Sequence, residues 1–179
     1  VVVTATDAAG NSSVDGTTDE LSINSQAPTV TVTSLATNDR TPALSGTVDD
    51  PAATITVTVG SQTGLAATNG GAGTWTLADN TLSSLSDGIY NVVVTAVDLQ
   101  GNTASDTTTD ELRIDATAPV VAVNALLTND NRPALSGTVD DTTATVRVAV
   151  NGETNLAAVN NGAGTWTLPD NTITGALPD

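Results

Sequence analysis

The chain has 179 residues, with twenty acidic side chains against four arginines, no lysine and a net charge of −16. Such a balance argues against nucleic acid or an anionic membrane as partner, because phosphate recognition needs clustered Lys and Arg. With no Cys and no His, disulfides and thiolate or imidazole metal sites are excluded, and no apolar run approaches the ~18 residues of a membrane helix.

The first eleven residues read VVVTATDAAGN. They alternate as a β-strand does and end in an Asp-x-x-Gly-Asn turn. Residues 18–30, TDELSINSQAPTV, again alternate, reach Asn24, pass a few small residues and Ala-Pro, and open a new valine-rich run. From there seven strands are predicted, at about 28–34 (A), 42–48 (B), 54–59 (C), 64–68 (D), 74–77 (E), 89–97 (F) and 103–114 (G). Gly, Asn and Asp clusters separate them at the short spacing of a sandwich. No segment has the 3.6-residue period of a helix.

The chain then repeats itself. VVVTATDAAGN at 1–11 returns as VVVTAVDLQGN at 92–102, TNDRTPALSGTVDD at 37–50 as TNDNRPALSGTVDD at 128–141, and GAGTWTLADNT at 71–81 as GAGTWTLPDNT at 162–172. Each pair is offset by 91 positions. Near the end the offset slips by one, so that Asp179 matches Asp87. A unit of about 90 residues is domain-sized rather than a solenoid repeat. With the boundary at Ala-Pro, residues 27–117 form a complete unit. Residues 1–26 are the last strands of a preceding unit and 118–179 the front of a following one. Partial units leave open strand edges, which we expect to be completed by flanking chain or by another copy.

The expected core comprises Leu44, Ile55, Val57, Leu65, Trp75, Leu77, Leu82, Leu85, Tyr90, Val93, Thr95, Val97, Leu112 and Ile114. Trp75 is assigned to the core rather than to ligand stacking, since a chain without Phe has few other large core residues. Glu111, Arg113 and Asp115 alternate with Leu112 and Ile114, which places them on the solvent face.

The ordered pieces SGTVDDPAATITVTV, GTWTL, LSDGIYNVVVTAVDLQGN and IDATAP resemble the tandem bacterial Ig-like repeats of giant secreted adhesins, the RTX adhesins and biofilm-associated proteins among them. The resemblance covers the whole chain. It implies an all-β architecture of tandem Ig-like Greek-key β-sandwich domains with about seven strands each, a spacer role at the bacterial cell surface, and calcium ions that stiffen domain junctions. One departure is the lack of the Cys…Trp…Cys core of antibody domains.

Ig topology then sorts the acids. The BC loop with Asp49 and Asp50 and the FG turn from Asp98 to Asn102 should face the incoming linker at Asn24. The AB loop with Asp39 should lie near the outgoing linker at Asp115, together with Asp140 and Asp141 of the next unit, whose FG turn would copy Asp7–Asn11. These eleven residues are the candidate calcium ligands. Calcium takes six to eight oxygens from carboxylates, amides and carbonyls, which such loops supply. The plainer reading of Asp-x-x-Gly-Asn is a tight turn whose side chains cap backbone amides. There is no EF-hand loop and no Gly-Gly-x-Gly-x-Asp nonapeptide. With calcium the linker is expected to act as a clamp, and without it the carboxylates should repel and make a hinge.

The expected function is a non-catalytic structural extender, with neighbouring repeats as its partners. Two alternatives are a self-assembling extracellular filament subunit completed by strand exchange, and a glycan- or protein-binding module. An enzyme is disfavoured, because no Ser has a visible base and no Gly-rich phosphate loop follows a strand.

Overall fold

The computed structural model describes residues 1–178; Asp179, matched above to Asp87, lies outside them. The described residues are all-β, and no helix long and apolar enough to cross a membrane occurs among them. Contacts divide the chain into two units, Val1–Ala116 and one that begins at Thr117.

The first unit holds β1 (Thr4–Thr6), β2 (Ser12–Val14), β3 (Val30–Val32), β4 (Leu35–Thr37), β5 (Leu44–Val48), β6 (Thr54–Val59), β7 (Gln62–Asn69), β8 (Thr74–Leu77), β9 (Gly88–Tyr90), β10 (Val92–Val97), β11 (Thr103–Ser105) and β12 (Leu112–Ile114). The β1–β2 hairpin stands as its own two-stranded sheet. The next sheet has the order β11-β10-β6-β7-β8-β5-β3. In it β7 pairs with β6 through residues 62–67 and with β8 through Thr68 and Asn69, so one strand links the two halves of the sandwich. A third sheet, β4-β12-β9, joins the end of strand A to the end of strand G in parallel. Strands F and G are thus each broken in two, where one continuous strand was predicted, and β4 lies just past the predicted end of strand A.

Alternation explains the core. Leu44 and Val48 on β5, Ile55, Val57 and Val59 on β6, and Trp75 and Leu77 on β8 all point inward and share one buried cluster. Trp75 is fully buried, as expected, and its Nε1 donates to Thr31 O at 2.8 Å. Gly46 makes that contact possible. A Cβ there would sit 1.9 Å from Thr31 O and 2.6 Å from Trp75 Nε1, so any side chain would collide with both partners. Tyr90 is only partly buried, and its hydroxyl donates to Ser86 O at 2.9 Å.

Two expectations fail on strands F and G. On β10 the inward residues are Val92, Val94 and Ala96, not Val93, Thr95 and Val97. A strand's alternation defines two faces without saying which is inside, and a shift of one residue exchanges them. The face is chosen by antiparallel pairing with β6, which sets Val94 opposite Val57 and Ala96 opposite Ile55. The second failure is Glu111, which is buried rather than solvent-facing.

The second unit contains β13 (Val121–Val123), β14 (Leu135–Val139), β15 (Arg147–Val150), β16 (Glu153–Ala157), β17 (Val159–Asn160) and β18 (Thr165–Leu168). They form the sheets β13-β14-β18-β17 and β15-β16. Its tryptophan lock copies the first: Trp166 Nε1 donates to Ala122 O at 3.0 Å over Gly137, where a Cβ would lie 1.9 Å from that carbonyl.

Candidate functional site

The turn after β10 is built by its own sequence. Asp98 Oδ1 accepts Gln100 N at 2.9 Å and Asn102 N at 2.8 Å, and Gly101 takes φ +88°, a left-handed conformation that favours glycine. Asp98 Oδ2 accepts Asn102 Nδ2 at 2.8 Å. The copy at Asp7–Asn11 is the same turn, with Ala9 N at 2.9 Å, Asn11 N at 2.8 Å and Asn11 Nδ2 at 2.8 Å on Asp7. The side-chain hydrogen bond from Asn102 is the main reason that Asp98 titrates below the ordinary carboxylate range; Asn11 does the same for Asp7.

The linker docks on this turn. Asn24 Nδ2 donates to Asp98 Oδ2 at 3.0 Å and to Gln100 Oε1 at 3.2 Å. In return Asn102 Nδ2 donates to Asn24 O at 3.1 Å, while Asn24 Oδ1 accepts Gln26 N at 3.0 Å. Asn24, Asp98 and Asn102 therefore meet, as the topology suggests. Asn24 also lines an open cavity of about 240 Å³ with Gln26, Ala27, Pro28, Asp49 and Asp50. Asp49 Oδ1 accepts Thr29 N at 2.7 Å and Asp50 Oδ1 accepts Ala52 N at 2.8 Å. The Thr29 amide is the chief cause of a lowered Asp49 pKa.

The remaining candidates cap their own loops. Asp39 Oδ1 accepts Thr41 N at 2.9 Å, Asp140 Oδ1 accepts Val120 N at 2.8 Å, and Asp141 Oδ1 accepts Thr143 N and Oγ1, each at 2.7 Å. Asp115 pairs with Arg113 at 3.4 Å. Among the described residues no three or more carboxylates are grouped so that they could hold one metal ion. Donor chemistry says why Asp98 fits a metal poorly as it stands: its two oxygens already accept four N–H donors. Asp49, Asp50 and the Asn24 amide around the cavity fit better, but they supply fewer side-chain oxygens than calcium takes.

Sequence reasoning missed the buried acid. Pairing of Thr95 with Ser105 would place Tyr90 opposite residue 110, yet Leu112 stands there. Two extra residues are absorbed between β11 and β12, and Asp110 adopts φ +66° in the bulge. Glu111, between the left-handed Asp110 and the start of β12, is buried, 4% exposed, with Oε2 accepting Val92 N at 2.9 Å and Oε1 buried without a partner among the described residues. Burial raises its pKa, but hydrogen bonds from Val92 and Thr108 outweigh it and hold the carboxyl below its ordinary value. In the earlier TDEL copy Asp19 has the same φ of +66°, and Glu20 Oε2 pairs at 2.9 Å with the amino-terminal ammonium of Val1. The signal lay in the sequence, as an Asp-Glu pair kept at both copies of an otherwise ordinary strand.

Residues 17–116 match the family model of the bacterial Ig-like domain, and the chain belongs to that family. Two solved structures are similar to it. One is a tetra-tandem repeat in the extending region of a large adhesion protein, at 28% identity over 94% of this chain and 47% of that one, with a TM-score of 0.41. The other comes from work on host cell surface retention of a 1.5-MDa bacterial ice-binding adhesin, at 25% identity over 93% of this chain and 61% of that one, with a TM-score of 0.37. The chain thus spans about half the length of the first and under two thirds of the second. No curated protein matches.

Proposed function

We propose that the chain is a non-catalytic extender segment of a large bacterial cell-surface adhesin. The observation that carries this reading is the sameness of its repeats. Both units use one tryptophan lock, and the Asp-x-x-Gly-Asn turn is built twice with bonds alike to 0.1 Å or so. Length in a spacer comes from copy number, so each copy needs the same stable frame and no unique pocket. Family membership supports the reading. It is tested by tandem arrays of residues 27–117 with increasing copy number. Their maximum dimension in solution scattering should grow linearly; arrays that collapse to a constant dimension would refute the extender role.

Calcium belongs to the same proposal. Asn24, Asp49 and Asp50 would hold it at the cavity, with Asp98 and Asn102 adjacent, and by the 91-residue offset the reading extends to Asp115, Asp140 and Asp141. Each Asn carries an amide oxygen as well as a nitrogen, so a rotated Asn24 or Asn102 presents an acceptor. The ion would replace carboxylate repulsion by attraction and add ~2.7 kcal/mol at 100 times its Kd. Thermal unfolding in calcium and in EDTA checks this, and coincident transitions would remove calcium from the proposal.

A further inference from the structure

A cleft of about 420 Å³ lies in the first unit between the β6–β7 turn and the loop that leads into β9. Its size falls within the ~300–1,000 Å³ of small-molecule sites. The polar lining is Ser61, Gln62, Ser83, Ser84, Ser86 and Tyr90, beside the buried Val59 and Leu85. Every lining residue is uncharged, in a chain of net charge −16. Asp87, which follows Ser86, is paired with Arg40 at 2.8 Å.

The walls are fixed by bonds to the main chain. Gln62 Oε1 accepts Ser83 N at 2.6 Å, and Gln62 Nε2 donates to Ser83 O at 3.0 Å. The Tyr90 hydroxyl donates to Ser86 O at 2.9 Å, which holds the ring in place. Glycines leave the edges of that ring clear: a Cβ at Gly60 would lie 3.8 Å from Cδ1, and one at Gly88 would lie 3.6 Å from Cε2. By contrast, Ser61, Ser83, Ser84 and Ser86 are exposed, and their hydroxyls make no hydrogen bond among the described residues.

The second copy keeps the frame but not these residues. Gly60, Ser61 and Gln62 become Asn151, Gly152 and Glu153, and with the one-residue slip Ser84 and Ser86 become Ala176 and Pro178. Glu153 directs its two oxygens to the Thr174 amide at 3.1 Å and the Gly175 amide at 2.6 Å. The sandwich therefore does not require a serine-lined cleft at this place.

We infer that the cleft of the first unit binds a neutral sugar unit of a glycan, with Tyr90 as its platform and the serine hydroxyls as its hydrogen-bonding partners. Hydroxyls both donate and accept, as those of a sugar do, and a fixed ring offers a flat apolar surface to the C–H face of a pyranose. A charged ligand would find no opposite charge in the lining, and an apolar one would leave the hydroxyls dry and unpaired. An extender needs no such cleft, so the inference goes beyond that role and fails independently of it.

The test uses the 179-residue chain. Tyr90 is its only tyrosine, so ring-labelled tyrosine gives a single NMR signal that reports on the cleft. Maltotriose, cellotriose and mannotriose are titrated in turn. At least one should shift that signal saturably, and N-acetylneuraminic acid, which carries a carboxylate, should not. Gly60→Asn takes the residue of the second copy, sets a side chain against the ring and should abolish the saturable shift. Ser84→Ala also follows the second copy, removes one hydroxyl and should weaken binding about fivefold. Trp75 fluorescence checks that both variants stay folded. The inference is overturned if no trisaccharide gives a saturable shift, if the acid binds saturably, or if either folded variant binds as the wild type does; the first two results do not depend on the variants.

Discussion

Residues 27–116 and the unit that follows start from nearly the same sequence and end with different cores. Among the described residues, sixteen hydrophobic residues are buried in the first cluster and five in the second. Local structure survives in both. The tryptophan lock recurs, Asn160 Nδ2 spans Asp141 O and Ala144 O at 2.9 Å each as Asn69 spans Asp50 O and Ala53 O, and Leu177 N reaches Asn131 O at 2.8 Å as Leu85 N reaches Arg40 O at 2.9 Å. The last pair puts Leu177 in the place of Leu85, which confirms the one-residue slip near the end of the repeat. What the second unit lacks is coverage. Strand β15 begins two residues later than the copy of β6 would, and its inward valines are half-exposed because among the described residues β16 alone pairs with it. The turns are therefore local properties of the sequence, the tryptophan lock needs only the strands that both units share, and burial on strand C is conferred by strand F.

Each unit holds one tryptophan, so the comparison can be read by fluorescence. The largest expected difference is between the units themselves: in dilute urea titrations Trp166 should report unfolding well before Trp75, and coincident transitions would show the two cores to be equally stable. Trp75→Ala should cost about 4 kcal/mol in the first unit, while the Trp166 transition stays where it was. Gly46→Ala forces a methyl into the Thr31 carbonyl and the indole and should cost about 3 kcal/mol; Gly137→Ala reproduces the clash in the smaller core. Both are measured by the urea midpoint.

Glu111→Gln separates the buried acid from its exposed counterpart. Losing a charge-assisted bond to Val92 N should cost about 1.5 kcal/mol at pH 7, and Glu20→Gln much less. The folded pKa of Glu111 lies below its ordinary 4.5. Its stabilisation is therefore complete above that value and is lost as pH falls through the folded pKa, so the gap between wild type and Glu111→Gln should close in acid. A gap that stays constant down to pH 2 would mean that Glu111 acts by shape rather than charge. The smallest effect is expected at Gly60→Asn, below ~0.5 kcal/mol. The second copy already holds Asn151 there, at φ +48° against +57° for Gly60.

Much of this was legible in advance. Strands C and E were predicted at the observed bounds, the Asp98–Asn102 turn follows from Asp, Gly and Asn at fixed spacing, and Trp75 had to be core in a chain without Phe. The meeting of Asn24 with Asp98 followed from topology. Other features were not legible, because they depend on a neighbour. Alternation in VVVTAV offers two equivalent faces, and only pairing with β6 selects Val92, Val94 and Ala96. Alternation in TDELRID suggests an outward Glu111, but the strand begins only at Leu112, and behind the left-handed Asp110 the carboxylate meets the distant Val92 amide and is buried.

The sequence by itself determined the repeat, the strand-forming segments, the turns and the family, since these rest on residue chemistry within a few positions. Tertiary structure alone decided which face of each strand is inside, which glycine admits no side chain and which acid is buried. Those outcomes require two segments far apart in the chain to meet in one register, and a period of two carries no information about register.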